Sequence, residues 1–541
     1  MKLILLKRSI IQGQIRLFES SSLRSQLADV LGVLLVFLVF NQYCISISSG
    51  DNYRVYQDFT MVLGRPTIVF LLASVVALTF FWKSANLFWT SIPKYIRVSI
   101  SILTLLVSWN YVFYDYNYFM NEWHRVDRLL IAALAILSLR YPLFLFPLIA
   151  EIYLVDYQFN FPLGGSKLLD KSMPLEMLKM FASWFVIVAI FQSKKPLTSK
   201  LNTLFLMFFS LYGFFYFHSG LQKIVVSGSL WSWPFENEII YNLLAIRDRG
   251  WLQNAPQWLV DFHFDYFLAF GTVGQVLVLI TELAAIFVLW SKRLAKWLFL
   301  GIFILHFHVF VLNGALFWLW GTVGAFLIYA LLKMKVDFFS KRNFLISIPL
   351  MIVFVFALQV SKLGWYDSRL DNFFELEAEL YNGEKEMVSL NTMKPYTLHF
   401  QYGNFLSVVD YKNIYSGFLM LNKSDFEALA GVDSSGAMEL IESKGVNVYR
   451  PEMRQELSNI LDSFLVNSGP QENEWLNYFQ PPPYWNAHYT DTLPEVKGPE
   501  TVGITVYHSC VLRDRSGGRT LLWKRPVITR EKNEFGELIY K

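Results

Sequence analysis

Lys223 stands where an ionisable side chain is costly. It closes a long apolar stretch in the string Tyr216-Phe-His-Ser-Gly-Leu-Gln-Lys-Ile224. A cation at the edge of a hydrocarbon layer is retained where something uses or solvates it. The use that suits a lysine is that of a base. Free lysine titrates near about 10.4, and an apolar site lowers that value by penalising the ammonium. The bland alternative is snorkelling, with the stem along lipid and the ammonium in water.

Other side chains pose the same question. His124, in Asn121-Glu-Trp-His-Arg-Val-Asp-Arg128, precedes an apolar run. A neutral imidazole there can donate to a developing negative charge; it also fits a solvated patch with Arg125, Asp127 and Arg128. His306 and His308 fall mid-segment in Leu305-His-Phe-His-Val-Phe310. Two residues apart on a helix, they point about 200° away from each other, so they cannot hold one metal together. Glu282, in Ile280-Thr-Glu-Leu283, lies inside another apolar run. A buried carboxylate pairs with a base or stays protonated. With Gln275 and Thr281 close by, a structural hydrogen bond is the first reading of Glu282 and a substrate contact the second.

The elements that must position these groups are membrane helices. The chain of 541 residues is 54% hydrophobic and 17% charged, with mean hydropathy +0.36, a profile unlike that of a soluble enzyme. Apolar runs recur at Leu27–Ile47, Thr67–Trp82, Ile96–Tyr114, Leu129–Leu154, Leu175–Phe191, Leu201–Phe217, Phe267–Trp290, Trp297–Leu312, Leu316–Leu332 and Phe344–Val360. The Leu129–Leu154 run is broken by Arg140, Pro142 and Pro147, and proline cannot continue a helical ladder without cost. About nine to eleven membrane segments result. Residues 1–26 suit an interfacial amphipathic segment with no cleavable signal pattern, residues 27–360 form the membrane domain, and residues 361–541 form a water-exposed domain.

Charge sets the direction. Residues 361–541 hold 18 Lys+Arg against 25 Asp+Glu, a balance of −7, leaving +11 for the rest and +4 in all. This is not a nucleic-acid footprint. The basic clusters Lys83/Lys94/Arg97, Lys194/Lys195/Lys200, Lys292/Arg293/Lys296 and Lys333/Lys335/Lys341/Arg342 all fall on one side only if Leu129–Leu154 crosses twice or dips in and returns. The positive-inside rule then makes the N-terminus cytoplasmic and places Lys223, His124 and the C-terminal domain outside. Between Lys223 and Phe267, a polar and aromatic connection reads as interfacial helices.

The C-terminal domain is expected to be mixed α/β and β-rich. Thr501–Leu512 alternates as a strand, Asp514–Gly518 turns, and Thr520–Val527 returns. Tyr396–Asp410 is also strand-rich. Ser424–Glu427 has capping-box spacing. Pro451 opens a helix with Leu457, Ile460, Leu461, Phe464 and Leu465 on one stripe. Pro481–Tyr489 is an aromatic loop. Cys44 and Cys510 are the only cysteines and are expected to be unrelated thiols, so no cysteine metal cluster or CxxC pair exists. Walker, GxSxG, HExxH and Rossmann patterns are absent.

The string around Lys223 resembles one carried by the vitamin K-dependent γ-glutamyl carboxylases and the wider horizontally transferred transmembrane (HTTM) family. Their pattern is Y-F-x-[AS]-G-[LV]-x-K-[LI], followed after a short gap by Trp, here Trp231. The likeness covers roughly Leu27–Leu332 and is sharpest over Tyr216–Trp231. It implies that Lys223 is the catalytic lysine. It implies that His124 is the histidine that stabilises an oxyanion, although the residue before it is Trp rather than Asn. By the same resemblance, His308 and Glu282 contact the cofactor, a reduced, vitamin K-like quinone; His308 fits the family's F-H, with a different spacing to Asn313. Lys223 would then deprotonate the quinol, oxygen would turn it into a strong base, and a glutamate would lose its γ-proton and add carbon dioxide. Membrane lipid and a secreted peptide or protein are the partners implied. Two other classes stay open: a non-carboxylating maturation factor for a secreted peptide, and a quinone- or lipid-binding membrane protein without catalysis.

Overall fold

A computed structural model describes residues 21–48, 61, 63–113, 118–119, 122–160, 169–191, 196–333, 338–358, 364–394, 396–397, 400, 414–416, 419–420, 423–443, 451–466, 479–482, 493–533 and 537–539. Most of the N-terminal segment expected over residues 1–26 lies outside these; its last residues already belong to the first helix, Ser21–Ile47.

The apolar runs fold as helices. Seven are long and apolar enough to cross a membrane: Arg24–Ile47 within the first helix, Ile68–Ser91, Lys94–Val112, Ser172–Ala189, Leu197–Ser227, Gln257–Phe287 and Lys292–Asn313. Four shorter helices, Arg125–Arg140, Leu145–Asn160, Trp318–Lys333 and Lys341–Ala357, complete the helical part. The expected break in Leu129–Leu154 falls at Tyr141, where the short 3-10 turn Pro142–Phe144 separates two packed helices. Ser291 and Ser340 start their helices by accepting the backbone N–H groups of Leu294 and Asn343.

Side-chain bonds show how the helices alternate. Asn41 donates to the Ala357 carbonyl at 3.0 Å, and Trp251 donates to that of Val311. Trp109 and Trp318 donate to Phe479 and Pro482 of the C-terminal part. Gln26 meets Asn343, and Trp184 meets the Lys200 carbonyl, at the other end. The basic residues Lys94, Arg97, Lys200, Lys292, Arg293, Lys296, Lys333, Lys341 and Arg342 therefore lie at the end away from the C-terminal domain.

Two expectations need correction. Leu197–Ser227 runs ten residues past Phe217, so Lys223 is part of the helix rather than beyond it. Its polar residues face packed neighbours instead of ending the ladder, and Gly228, at φ 72°, supplies the left-handed cap. The connection to the next long helix is correspondingly short and holds the helices Ser232–Glu236 and Ile239–Asp248. The strand expected over Tyr396–Asp410 is not seen at its described residues, of which Thr397 and Phe400 are helical; the rest lies outside the described residues, as does most of Pro481–Tyr489.

The C-terminal part is built on antiparallel strands. They are β1 (Tyr366–Asp367), β2 (Leu370–Leu380), β3 (Lys385–Val388), β4 (Ile414–Ser416), β5 (Leu419–Met420), β6 (Thr501–Arg513), β7 (Arg519–Lys532) and β8 (Leu538–Ile539). One sheet has the order β3-β2-β6-β7-β8, and a smaller one β1-β5-β4. The β6–β7 hairpin matches the sequence reading. The apolar stripe of Pro451–Val466 packs with Phe374, Leu376, Ile504 and Val506, and with Tyr118 from the helical part.

Candidate functional site

Lys223 lies on the buried face of Leu197–Ser227, and Glu282 lies on that of Gln257–Ala284. Gly220 lets the two helices approach: a Cβ there would come within 3.1 Å of Glu282 Cβ and Leu283 Cδ2. Across this contact Lys223 Nζ donates to Glu282 Oε1 at 2.9 Å and Oε2 at 2.8 Å. Ser219, one turn earlier, accepts a third bond at 3.0 Å and donates to Glu282 Oε1 at 2.8 Å. The indole of Trp233 lies 5.2 Å from Nζ, within cation–π range.

The C-terminal part closes the site. Trp233 donates its indole N–H to the Trp365 carbonyl at 2.7 Å. Gly364 packs on the helix backbone itself; a Cβ there would lie 2.5 Å from the Gln222 oxygen and 2.9 Å from Lys223 N. Two residues after Trp365, the buried carboxylate of Asp367 accepts from Asn237 at 2.7 Å and Asn242 at 2.9 Å. Asn237 also donates to Gln275 at 2.7 Å, two turns before Glu282 on the same helix.

The histidines go elsewhere. His124 is fully buried, 3.2 Å from Asp127, which in turn is 2.6 Å from Arg65. Arg65 also pairs with Glu151, which accepts from Thr67 at 2.7 Å. This makes His124 part of a separate buried charge cluster rather than of a solvated patch. His306 bonds Tyr216 at 2.6 Å, whereas His308 faces Phe267 and Gly274. The two rings point to different neighbours, as their spacing requires. His308 meets Gly274, eight residues and so two turns before Glu282, and the cofactor-contact pair implied by the resemblance is not brought together. Among the described residues no group of three or more His, Cys, Asp or Glu could hold a metal. Cys44 and Cys510 are buried free thiols.

No family model, curated protein or solved structure matches the chain.

Sequence reasoning missed a second buried pair within the apolar helices. Lys179, fully buried, lies 2.5 Å from Glu176 and donates to Tyr153 at 2.9 Å and to Asn41. The Glu-x-x-Lys spacing inside an apolar run was its signal. Ser219, one turn before Lys223, was equally visible. Asp367 had none, because only the fold brings it to the seam.

What the arrangement can do follows from its donors. The three N–H groups of Lys223 are taken by two carboxylate oxygens and a hydroxyl. As paired, it is a buried cation with its counter-charge, not a free base. To act as a base it must first hand a proton to Glu282, which is in contact to receive it.

Proposed function

We propose that the chain is an integral membrane protein of the HTTM type, with the Lys223–Glu282 pair as the working centre of a quinol-dependent, γ-glutamyl carboxylase-like enzyme. The observation that carries this reading is the pair itself: a lysine and a glutamate from two long apolar helices, buried together under Trp233 and the first residues of the C-terminal domain. A charge pair in such a place is retained for use more often than for stability. The amine, carboxylate and Ser219 hydroxyl suit a phenolic hydroxyl, which both donates and accepts. A reduced quinone, bound there, would supply with oxygen the base strength that a γ-proton demands.

The steps left to the protein are short. A proton passes from the Lys223 ammonium to a Glu282 oxygen, leaving an amine and a carboxyl. The amine then takes the proton of the bound hydroxyl. Trp233 and the Gly364 contact keep bulk water away while this happens. Exposed apolar residues such as Leu72, Phe80, Leu129, Ile136, Phe303 and Phe356 suit lipid contact. The basic helix ends suit the cytoplasmic face, with the C-terminal domain outside, where a secreted peptide would meet the site.

The second reading is a membrane protein of the same type without catalysis, a maturation factor or a quinone or lipid binder. It is favoured by the full occupation of the Lys223 donors, which a structural pin would show. Labelled carbonate uptake into membranes supplied with a reduced quinone separates the two. Uptake by the wild type that is lost in Lys223→Ala and Glu282→Gln is the expected result. Equal uptake by wild type and Lys223→Ala removes Lys223 as base, and quinol binding without turnover favours the second reading.

A further inference from the structure

Two buried aspartates stand four residues apart at the start of the C-terminal domain, and they are held in opposite ways. Asp371 is gripped by Arg249, at 3.0 and 2.5 Å, and by Arg513. Asp367 is 3% exposed and held by neutral donors: Asn237, Asn242 and Trp365 on its carboxyl and, through its own backbone N–H, the Asn237 side-chain oxygen at 2.6 Å. Among the described residues no lysine or arginine bonds its carboxylate. An asparagine would fill the same volume without a charge. Burying a carboxylate on neutral donors alone is costly, so the fold keeps an ionisable group that its packing does not require.

The group has one cationic neighbour of note. Lys223 favours its ionised form, though less than the hydrogen bonds of Asn242, Asn237 and Trp365 do. Gly364 and Trp365, which lead into Asp367, are the residues that touch the Lys223 backbone and the Trp233 indole. The amide chain Asp367–Asn237–Gln275 ends on the helix face that carries Glu282. The charged groups of the neighbouring elements are already engaged: Glu236 by Lys423 and Tyr366, Glu238 by Arg515, Asp248 by Arg513 and Arg519, and Arg369 by the carbonyls of Arg513, Leu429 and Val432.

We infer that Asp367 is the second carboxylate of the Lys223 site, a proton-holding positioning residue through which the C-terminal domain sets the charge around the Lys223–Glu282 pair. With Asp367 protonated, the three groups sum to zero. Loss of its proton to solvent leaves one negative charge facing the ammonium, which then gives up its own proton less readily. Burial raises the Asp367 carboxyl; the Asn242, Asn237 and Trp365 hydrogen bonds and the charge of Lys223 offset only part of that, and the group titrates at about 6. The charge of the site thus changes between acid and neutral pH. Its role in turnover rests on the proposed function, whereas its proton does not.

The test reads the proton and not the activity. Thermal unfolding of the full-length protein in detergent is followed from acid to neutral pH for wild type, Asp367→Asn, Lys223→Met and the double variant. The wild type is expected to lose stability relative to Asp367→Asn as pH rises through about 6. In the Lys223→Met background that loss should move to higher pH, because the neighbouring cation no longer favours the carboxylate. If wild type and Asp367→Asn keep a constant separation, Asp367 binds no proton in this range and the inference fails. If the loss stays in place without Lys223, Asp367 is no part of the Lys223 site, and the inference fails equally. Should Asp367→Asn not fold, the infrared band of the protonated carboxyl, followed across the same pH range in wild type and Lys223→Met, decides both points. A wild type that shows the Lys223-dependent shift but no carbonate uptake would overturn the proposed chemistry and leave this inference standing.

Discussion

Lys223 and Glu282 are 59 residues apart in sequence and meet with both carboxylate oxygens within 2.9 Å of one ammonium. The pair ties the helix Leu197–Ser227 to Gln257–Ala284 near the end where the C-terminal domain sits. Removing one partner strands the other in a dry contact. Lys223→Met or Glu282→Leu alone is expected to destabilise the protein by about 3–5 kcal/mol. Replacing both, as Lys223→Met with Glu282→Leu, should restore part of that loss, because neither charge is then left without its partner. Thermal unfolding in detergent of the four proteins makes the comparison. A double variant as unstable as the sum of the singles would mean that the two side chains do not act on each other.

Asp371 should behave in the opposite sense to Asp367. Burial raises its carboxyl, but Arg249 and Arg513 outweigh burial and hold it below the ordinary carboxylate range. A depressed value stabilises the folded state above the unfolded carboxylate's range, near about 3.9. The stabilisation is lost only as pH falls through the lower folded value. Asp371→Asn is therefore expected to lower stability throughout the neutral range, with the difference from wild type shrinking only in strong acid. Arg249→Met, which breaks a bidentate buried contact between Ile239–Asp248 and β2, should cost about 3 kcal/mol or more. Unfolding curves across pH measure both effects, and an Asp371→Asn protein as stable as wild type at neutral pH would show that the guanidiniums do not grip it.

The helices were legible in the sequence because their outward-facing and core-facing positions are both apolar, so composition alone marks them. The break at Tyr141–Pro142 was legible from proline chemistry, and the β6–β7 hairpin from alternation around Asp514–Gly518. The end of the helix bearing Lys223 was not. Ser219, Gln222 and Lys223 read as the close of an apolar run, yet their polar groups are satisfied inside the bundle and the helix continues. Lys223 and Glu282 were each singled out, but nothing local to either string says that they meet; that depends on Gly220 and on the crossing of two helices. The Arg65–Asp127–Glu151 cluster around His124 was hidden for the same reason, since its members come from three separate segments. Asp367 shows the limit most clearly: in sequence it is one acid in an acidic domain, and only the fold sets it on Asn237 and Asn242, two residues after the segment that packs on the Lys223 helix.

Two exposed positions report the orientation of the chain in a membrane. Ser435 lies in the helix Ser434–Ser443 of the C-terminal domain, and Lys296 lies at the opposite, basic end of the helix Lys292–Asn313. Both native cysteines are buried, Cys44 in the helical core and Cys510 in β6. They should react slowly with a bulky membrane-impermeant maleimide, which leaves a low background. In intact cells, Ser435→Cys is expected to label at once, and Lys296→Cys only after the membrane is opened. The expectation follows from the gathering of Lys292, Arg293, Lys296, Lys341 and Arg342 away from the C-terminal domain, because cytoplasmic ends of membrane helices collect lysine and arginine. The reverse pattern would turn the Lys223 site toward the cytoplasm. A secreted substrate would then have to be met before export, and the acidic domain would face the cell interior together with Asp367.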